Sequence, residues 1–142
     1  MDSGNIGFVL LCAAFVFVMT PGLAMFYGGL VRKKNVVNTM MTSIFIIGIG
    51  IVMWVLFGYS LSFAPSGNAF IGDFRWLGLE GVSLTEGYTD GASIPNMVFS
   101  AFQMMFAVIT PALITGAVAG RMKFKSIFVF TIFWSLIVYY PL

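Results

Sequence analysis

The sequence predicts an all-α fold, a polytopic bundle of four membrane-spanning helices, and three observations predict it. Of the 142 residues, 60% are hydrophobic and only 8% are charged, where soluble domains carry roughly a quarter charged residues. The charges gather into short clusters that leave uncharged stretches at 3–31, 35–72, 91–120 and 126–142. Basic and acidic clusters alternate along the chain, as loops on opposite sides of a bilayer do. A water-soluble fold of this size has too little interior to hide so much apolar surface, whereas lipid solvates it.

The spans follow in order, since each needs roughly 20 apolar residues. The first is expected at about 6–31. A cleavable leader would begin with a positive segment and a short apolar core. Here Asp2 comes first and the apolar stretch is long, so this segment reads as a retained helix. The second span is expected at about 41–64, after Arg32, Lys33 and Lys34, and the third at about 95–119. The fourth starts at about 126, after Arg121, Lys123 and Lys125, and is still apolar at Leu142, with Tyr139, Tyr140 and Pro141 closing it. That pattern is expected of a chain continuing beyond its last span.

Lys and Arg near span ends mark the cytoplasmic side. Both basic clusters are then cytoplasmic, and the N-terminus and the loop 65–94 are external. All five acids (Asp2, Asp73, Glu80, Glu86, Asp90) fall outside with Arg75 alone among the cations, and the alternation holds at every crossing. The outer loop is rich in turn formers: Pro65, Ser66, Gly67, Asn68, Gly72, Gly78, Gly81 and Gly87. Phe70, Phe74 and Trp76 either fold it onto the helix ends or seat it in the membrane interface.

The composition also excludes. There is no histidine, the commonest general base and metal ligand, and the single Cys12 can form neither an internal disulfide nor a CxxC site. No nucleophile is paired with a base, so an enzyme is not expected, nor is a cofactor or metal. The net charge of +2 is too small to suggest nucleic acid. No span carries an internal charge, which such groups in pumps, voltage sensors and antiporters usually do. The interior therefore favours passage of a neutral or nearly neutral species.

Within the spans, Pro21 and Gly22, then Gly28 and Gly29, loosen the first helix, and Ala24 and Gly28 allow a close crossing. Gly116 and Gly120 form a GxxxG, which implies that one face of the third helix packs closely. Phe99, Phe102, Gln103 and Phe106 share one face of that helix, at i, i+3, i+4 and i+7. Phe102 and Phe106, one turn apart, are placed to stack along the axis. Such a stripe serves either packing or a gate. The Gln103 amide needs a hydrogen-bond partner on a neighbouring helix or the mouth of an aqueous path.

These residues carry a resemblance. PGLAMFYGGLVRKKNVVNTMM (21–41) resembles the first helix and first cytoplasmic loop of the ammonium transporters, the Amt/Mep/Rh superfamily. WVLFGYSLSF (54–63), FIGDFRWLGLEGVS (70–83) and IPNMVFSAFQMMFAVITPALITGAVAGRMKF (94–124) resemble it in the same order. The first-helix pattern is that of the Amt/Mep branch. The resemblance implies that residues 1–142 are the N-terminal part of one eleven-helix membrane domain. It implies a plasma-membrane protein with its N-terminus outside and a homotrimer with one path per subunit. It also implies a narrow apolar pore for ammonium or ammonia. By the same resemblance Phe106 is the outer gate phenylalanine, Phe102 its upstream neighbour, and Leu23 and Leu113 line the pore. Gln103 joins them on the shared face. A PII-type regulatory trimer is implied on the cytoplasmic side, with Arg32–Asn38 and Arg121–Lys125 as parts of its surface. An ammonium sensor and a structural membrane subunit are the alternative readings.

Overall fold

The computed structural model describes residues 2–64, 70–118 and 120–141. Its frame is a bundle of four helices: α1 (Ser3–Leu30), α2 (Lys33–Phe63), α3 (Asn96–Val118) and α4 (Phe124–Tyr139). The first three are long and apolar enough to cross a membrane, and α4 is a shorter apolar helix. Successive helices run in opposite directions. Asp2 N–H donates to the Ser93 carbonyl (3.0 Å), so the start of α1 and the end of the long loop meet at one, acidic, end. Arg32, Lys34 and Arg121 share the walls of a cleft at the other, basic, end.

Helix α1 begins at a cap, where the Asp2 carboxylate accepts from the Gly4 N–H at 2.9 Å and satisfies a donor left free by the first turn. Its buried residues are Thr20, Ala24 and Gly28, spaced by four. That spacing makes a narrow seam of small side chains, and exposed residues such as Phe8, Phe15 and Phe26 cover the remainder. Gly28 matters for contact, because a Cβ there would lie 3.0 Å from Met40 of α2. Helix α3 crosses α2 still closer: a Cβ on Gly50 would lie 3.2 Å from Val108 Cα.

Helix α2 differs from expectation in two ways. It begins at Lys33, in a short 3-10 turn, well before position 41. The basic cluster is the helix's first turn, because Lys stems run along apolar surface while their ammonium groups reach the headgroups. A π-helical turn, Trp54–Gly58, then interrupts it. The additional residue rotates the register, so that Trp54, Gly58, Tyr59, Ser60 and Leu61 are all buried where a regular helix would turn some of them out. Helix α4 has the same device at Ser135–Tyr139, after burying Ile127, Thr131 and Ser135 along one face. It starts at Phe124, two residues before the expected 126, and its predicted end at Leu142 lies outside the described residues. So do Ala119 of the third span and Pro65, Ser66, Gly67 and Asn68 of the loop.

The loop folds onto the helix ends through Trp76 and Tyr88, and of the three aromatics expected to anchor it only Trp76 does so. Trp76 stacks on Tyr59 with centroids 5.3 Å apart and planes at 12°. Phe70 and Phe74 are 82% and 65% exposed and, among the described residues, stack on no other ring. Backbone contacts complete the seat. Gly72 N–H donates to the Leu61 carbonyl at 2.6 Å, Trp76 N–H to Ser60 Oγ at 3.1 Å, and Ser60 Oγ to the Asp73 carbonyl. A Cβ on Gly72 would collide with the Ser60 carbonyl and lie 2.7 Å from that of Leu61. Gly72→Ala in the full-length protein is therefore expected to cost about 1–3 kcal/mol, as overpacking does. Thermal unfolding in detergent reads this as a lower midpoint. Gly29→Ala, with nothing within 4 Å of its Cβ, leaves the midpoint unchanged.

The GxxxG reading needs correction. Helix α3 ends at Val118, and Gly120 lies beyond it with a φ of +72°, the conformation of a helix-ending glycine. Gly116 does make room, but for a side chain: a Cβ there would lie 2.6 Å from the Tyr27 ring. The two glycines do not form a helix-packing pair.

Candidate functional site

Among the clefts on the described residues, two bear on the candidate site, one toward each end. Toward the acidic end, a cleft of about 300 Å³ is lined by Trp54, Ser62, Phe63, Gln103, Tyr139 and Tyr140. Each π turn supplies one ring of this wall, Trp54 from α2 and Tyr139 from α4. Trp54 is held by its indole N–H, which donates to Ser100 Oγ at 3.3 Å, and by an edge-on contact with Phe63. Tyr59, just below the loop, donates to Asn96 Oδ1 and so ties α2 to the first turn of α3. Phe99 is sandwiched from the loop side, stacked on Tyr88 at 4.9 Å and 10°, with Phe63 edge-on to it at 5.2 Å. The Phe99 stripe position is thus a packing position.

Phe102 and Phe106 continue that face down α3. Their centroids are 5.2 Å apart with planes at 81°, an edge-to-face pair and not the stack expected from their spacing. One turn of helix separates the Cβ atoms, and the ring edge of one meets the negative face of the other. Thr110 follows on the same face, its hydroxyl donating to the Phe106 carbonyl at 2.7 Å. Gln103 faces the cleft, and among the described residues its amide meets no hydrogen-bond partner on a neighbouring helix.

Leu23 and Leu113 lie further toward the basic end and are treated differently by the fold. Leu23 packs against the buried cluster of Ile46, Ala112 and Ile127. Leu113 is 50% exposed, on the open side of α3. Between them stands Tyr27, one turn after Leu23, whose hydroxyl donates to the Leu113 carbonyl at 3.0 Å. Leu113 has no conventional acceptor conflict there, since a carbonyl carries two lone pairs. Tyr27 also lines the second cleft, of about 780 Å³, together with Arg32, Lys34, Asn35, Gly116 and Arg121. Sequence reasoning passed over Tyr27. The available signal was its position four residues after Leu23, facing a glycine three residues after Leu113.

Tyr27→Phe is expected to cost about 0.5–1.5 kcal/mol through the lost hydrogen bond. Chemical denaturation of the full-length protein in detergent measures it. Gly116→Ala displaces the whole ring and is expected to cost more than Tyr27→Phe.

The described residues thus assemble an aromatic cleft, a pair of phenylalanines on the α3 face that carries Gln103, and a polar cleft with three cations at the far end. Comparison with known proteins identifies the lineage. The family model described as the Ammonium Transporter Family matches residues 7–142. The chain belongs to the ammonium transporter family.

Relatives agree. An ammonium transporter of Bacillus subtilis is 49% identical over 142 residues, covering 99% of this chain and 34% of that protein. Ammonium transporter 1 of Dictyostelium discoideum is 41% identical, covering 99% of this chain and 30% of its own length. Among solved structures, Mep2 of Candida albicans superposes with a TM-score of 0.85 at 28% identity, over 99% of this chain and 30% of that one. Mep2 of Saccharomyces cerevisiae gives 0.80 at 34% identity, over 99% and 33%. The chain therefore has the helical fold of this transporter family and is a multi-pass membrane protein, spanning about a third of the length of the relatives it matches. The relatives named here are transporters, and none is named as an enzyme.

Proposed function

We propose that the full-length protein conducts ammonium or ammonia across the plasma membrane through a narrow apolar path, as a homotrimer with its N-terminus outside. The observation that carries this reading is the family match over residues 7–142. In this reading the acidic end faces outward, and the aromatic cleft and Gln103 form part of the entry. Phe106 is the outer gate phenylalanine with Phe102 its upstream neighbour, and Leu23 and Leu113 line the path toward the cytoplasm.

The chemistry supports such an assignment. An aromatic face attracts ammonium with about 0.5–2 kcal/mol per contact. The outer acids raise the cation's local concentration, an effect that salt screens within about 8–10 Å. An apolar passage penalises the charged ion and favours neutral ammonia, so ammonium gives its proton to water on the outer side before the narrow part. Potassium is of similar size and has no proton to lose, which supplies the discrimination. On the cytoplasmic side, the cleft edged by Arg32, Lys34 and Arg121 is the expected contact for a PII-type regulator.

The test is growth. A host lacking its own ammonium uptake, given the full-length protein, should grow on low ammonium, and excess methylammonium should compete. A protein that binds ammonium only to signal would leave growth unrestored, as would a structural subunit.

A further inference from the structure

The π turn of α2 meets the residue that follows the π turn of α4 at a contact whose consequence reaches the aromatic cleft. Gly58 closes the π turn of α2 and is buried. A Cβ there would lie 2.7 Å from Tyr140 Cζ and 2.9 Å from its Cε1 and Oη. The phenolic end of Tyr140 thus occupies the space a side chain at 58 would fill. Tyr140 itself follows directly on the π turn of α4, its N–H donating to the Ser135 carbonyl at 3.0 Å, and it is 3% exposed. Seated in this way, its ring stands edge-on to Trp54 (6.0 Å, 61°) and to Tyr139 (5.9 Å, 71°). Those three rings make one wall of the 300 Å³ cleft, and the Gln103 amide lies on its rim.

We infer that Gly58 is a positioning residue for substrate entry: its missing side chain seats Tyr140, and Tyr140 sets the width of the aromatic cleft beside Gln103. Neither residue needs to touch the path's narrow part. A π turn is an irregularity that recurs at functional sites, and here one ends at Gly58 while the other leads directly into Tyr140. Gly50, elsewhere on α2, serves a crossing with a neighbouring helix, against Val108 of α3. Gly58 instead receives an aromatic ring that belongs to the cleft.

The inference rests on the transport reading above, and the experiment separates the two. Methylammonium uptake is measured in cells expressing full-length wild type, Gly58→Ala, Tyr140→Leu and the double variant, each normalised to the amount at the cell surface. Gly58→Ala should raise the methylammonium KM about two- to tenfold, the scale of one displaced aromatic contact, with the maximal rate per molecule nearly kept. Tyr140→Leu should raise it similarly, and adding Gly58→Ala to Tyr140→Leu should change it no further, because the clash partner is gone. A purely structural role lowers surface amount and leaves KM alone. Unchanged KM in Tyr140→Leu overturns the inference even where Gly58→Ala fails to reach the surface. Independent, multiplying effects of the two substitutions overturn it as well. Absence of saturable uptake in the wild type instead removes the transport reading itself.

Discussion

Replacing Phe106 by alanine in the full-length protein is expected to raise the KM for methylammonium between about 2- and 30-fold, the range that one lost cation–π contact of about 0.5–2 kcal/mol allows. The substitution also removes the edge-to-face partner of Phe102, so the remaining ring loses a contact worth about 0.5–1.5 kcal/mol and is freer to turn. Selectivity should fall in parallel, since a widened apolar passage admits water with the cation and lowers the penalty that excludes potassium. Phe106→Leu keeps volume without the π face. It should restore the barrier to potassium while leaving KM raised. Measured uptake with potassium as competitor reads both effects. Unchanged KM and unchanged selectivity in Phe106→Ala would leave the ring as packing only.

The second large effect is expected at Trp54, which is 2% exposed and sits where α2, α3, α4 and the loop's base converge. Its ring contacts Tyr59, Phe63 and Tyr140, and its indole N–H donates to Ser100 Oγ. In a soluble core, Trp→Ala costs about 3–5 kcal/mol. Lipid weakens the transfer part of that figure, because helices in a bilayer associate by packing and hydrogen bonds. The cavity and the orphaned Ser100 hydroxyl remain, the latter alone worth about 1–3 kcal/mol. Trp54→Ala is thus expected to destabilise the protein in detergent by about 3 kcal/mol. Trp54→Phe, which keeps most of the packing, should cost roughly half as much. An unfolding midpoint equal to wild type in Trp54→Ala would contradict the role of this cluster as the bundle's anchor.

Much of the fold was legible because charge in a membrane protein is punctuation. The gaps between charged clusters located α1, α3 and α4 to within a few residues, and the alternation of clusters agrees with a bundle whose successive helices reverse direction. The start of α2 escaped, because Lys33 and Lys34 read as loop residues while their stems let them sit in a helical first turn. The π turns also escaped. A register shift leaves no mark in composition, and WVLFG (54–58) is as compatible with a regular helix as with a π turn. In the loop, Phe70, Phe74 and Trp76 were equivalent candidates, and only the position of Tyr59 selected Trp76.

The site was legible in part. The shared face of Phe102, Gln103 and Phe106 followed from helical spacing, but the mutual angle of the rings did not, since χ angles are set by neighbours and not by sequence separation. Phe99, on the same stripe, turned out to be held by Tyr88 and Phe63 from outside α3. Gly116 does mark close packing of α3, but what fills the space it leaves, the Tyr27 ring of α1, could not be named from the pattern. Each of these misses concerns which side chain fills a gap, a question that depends on residues distant in sequence.

Flux through the purified protein tests the central claim most directly. Full-length protein reconstituted into sealed vesicles should accumulate labelled methylammonium faster than protein-free vesicles. Uptake should saturate and be competed by ammonium but not by an equal concentration of potassium. Uptake no faster than in protein-free vesicles, or competed equally by potassium, would contradict it.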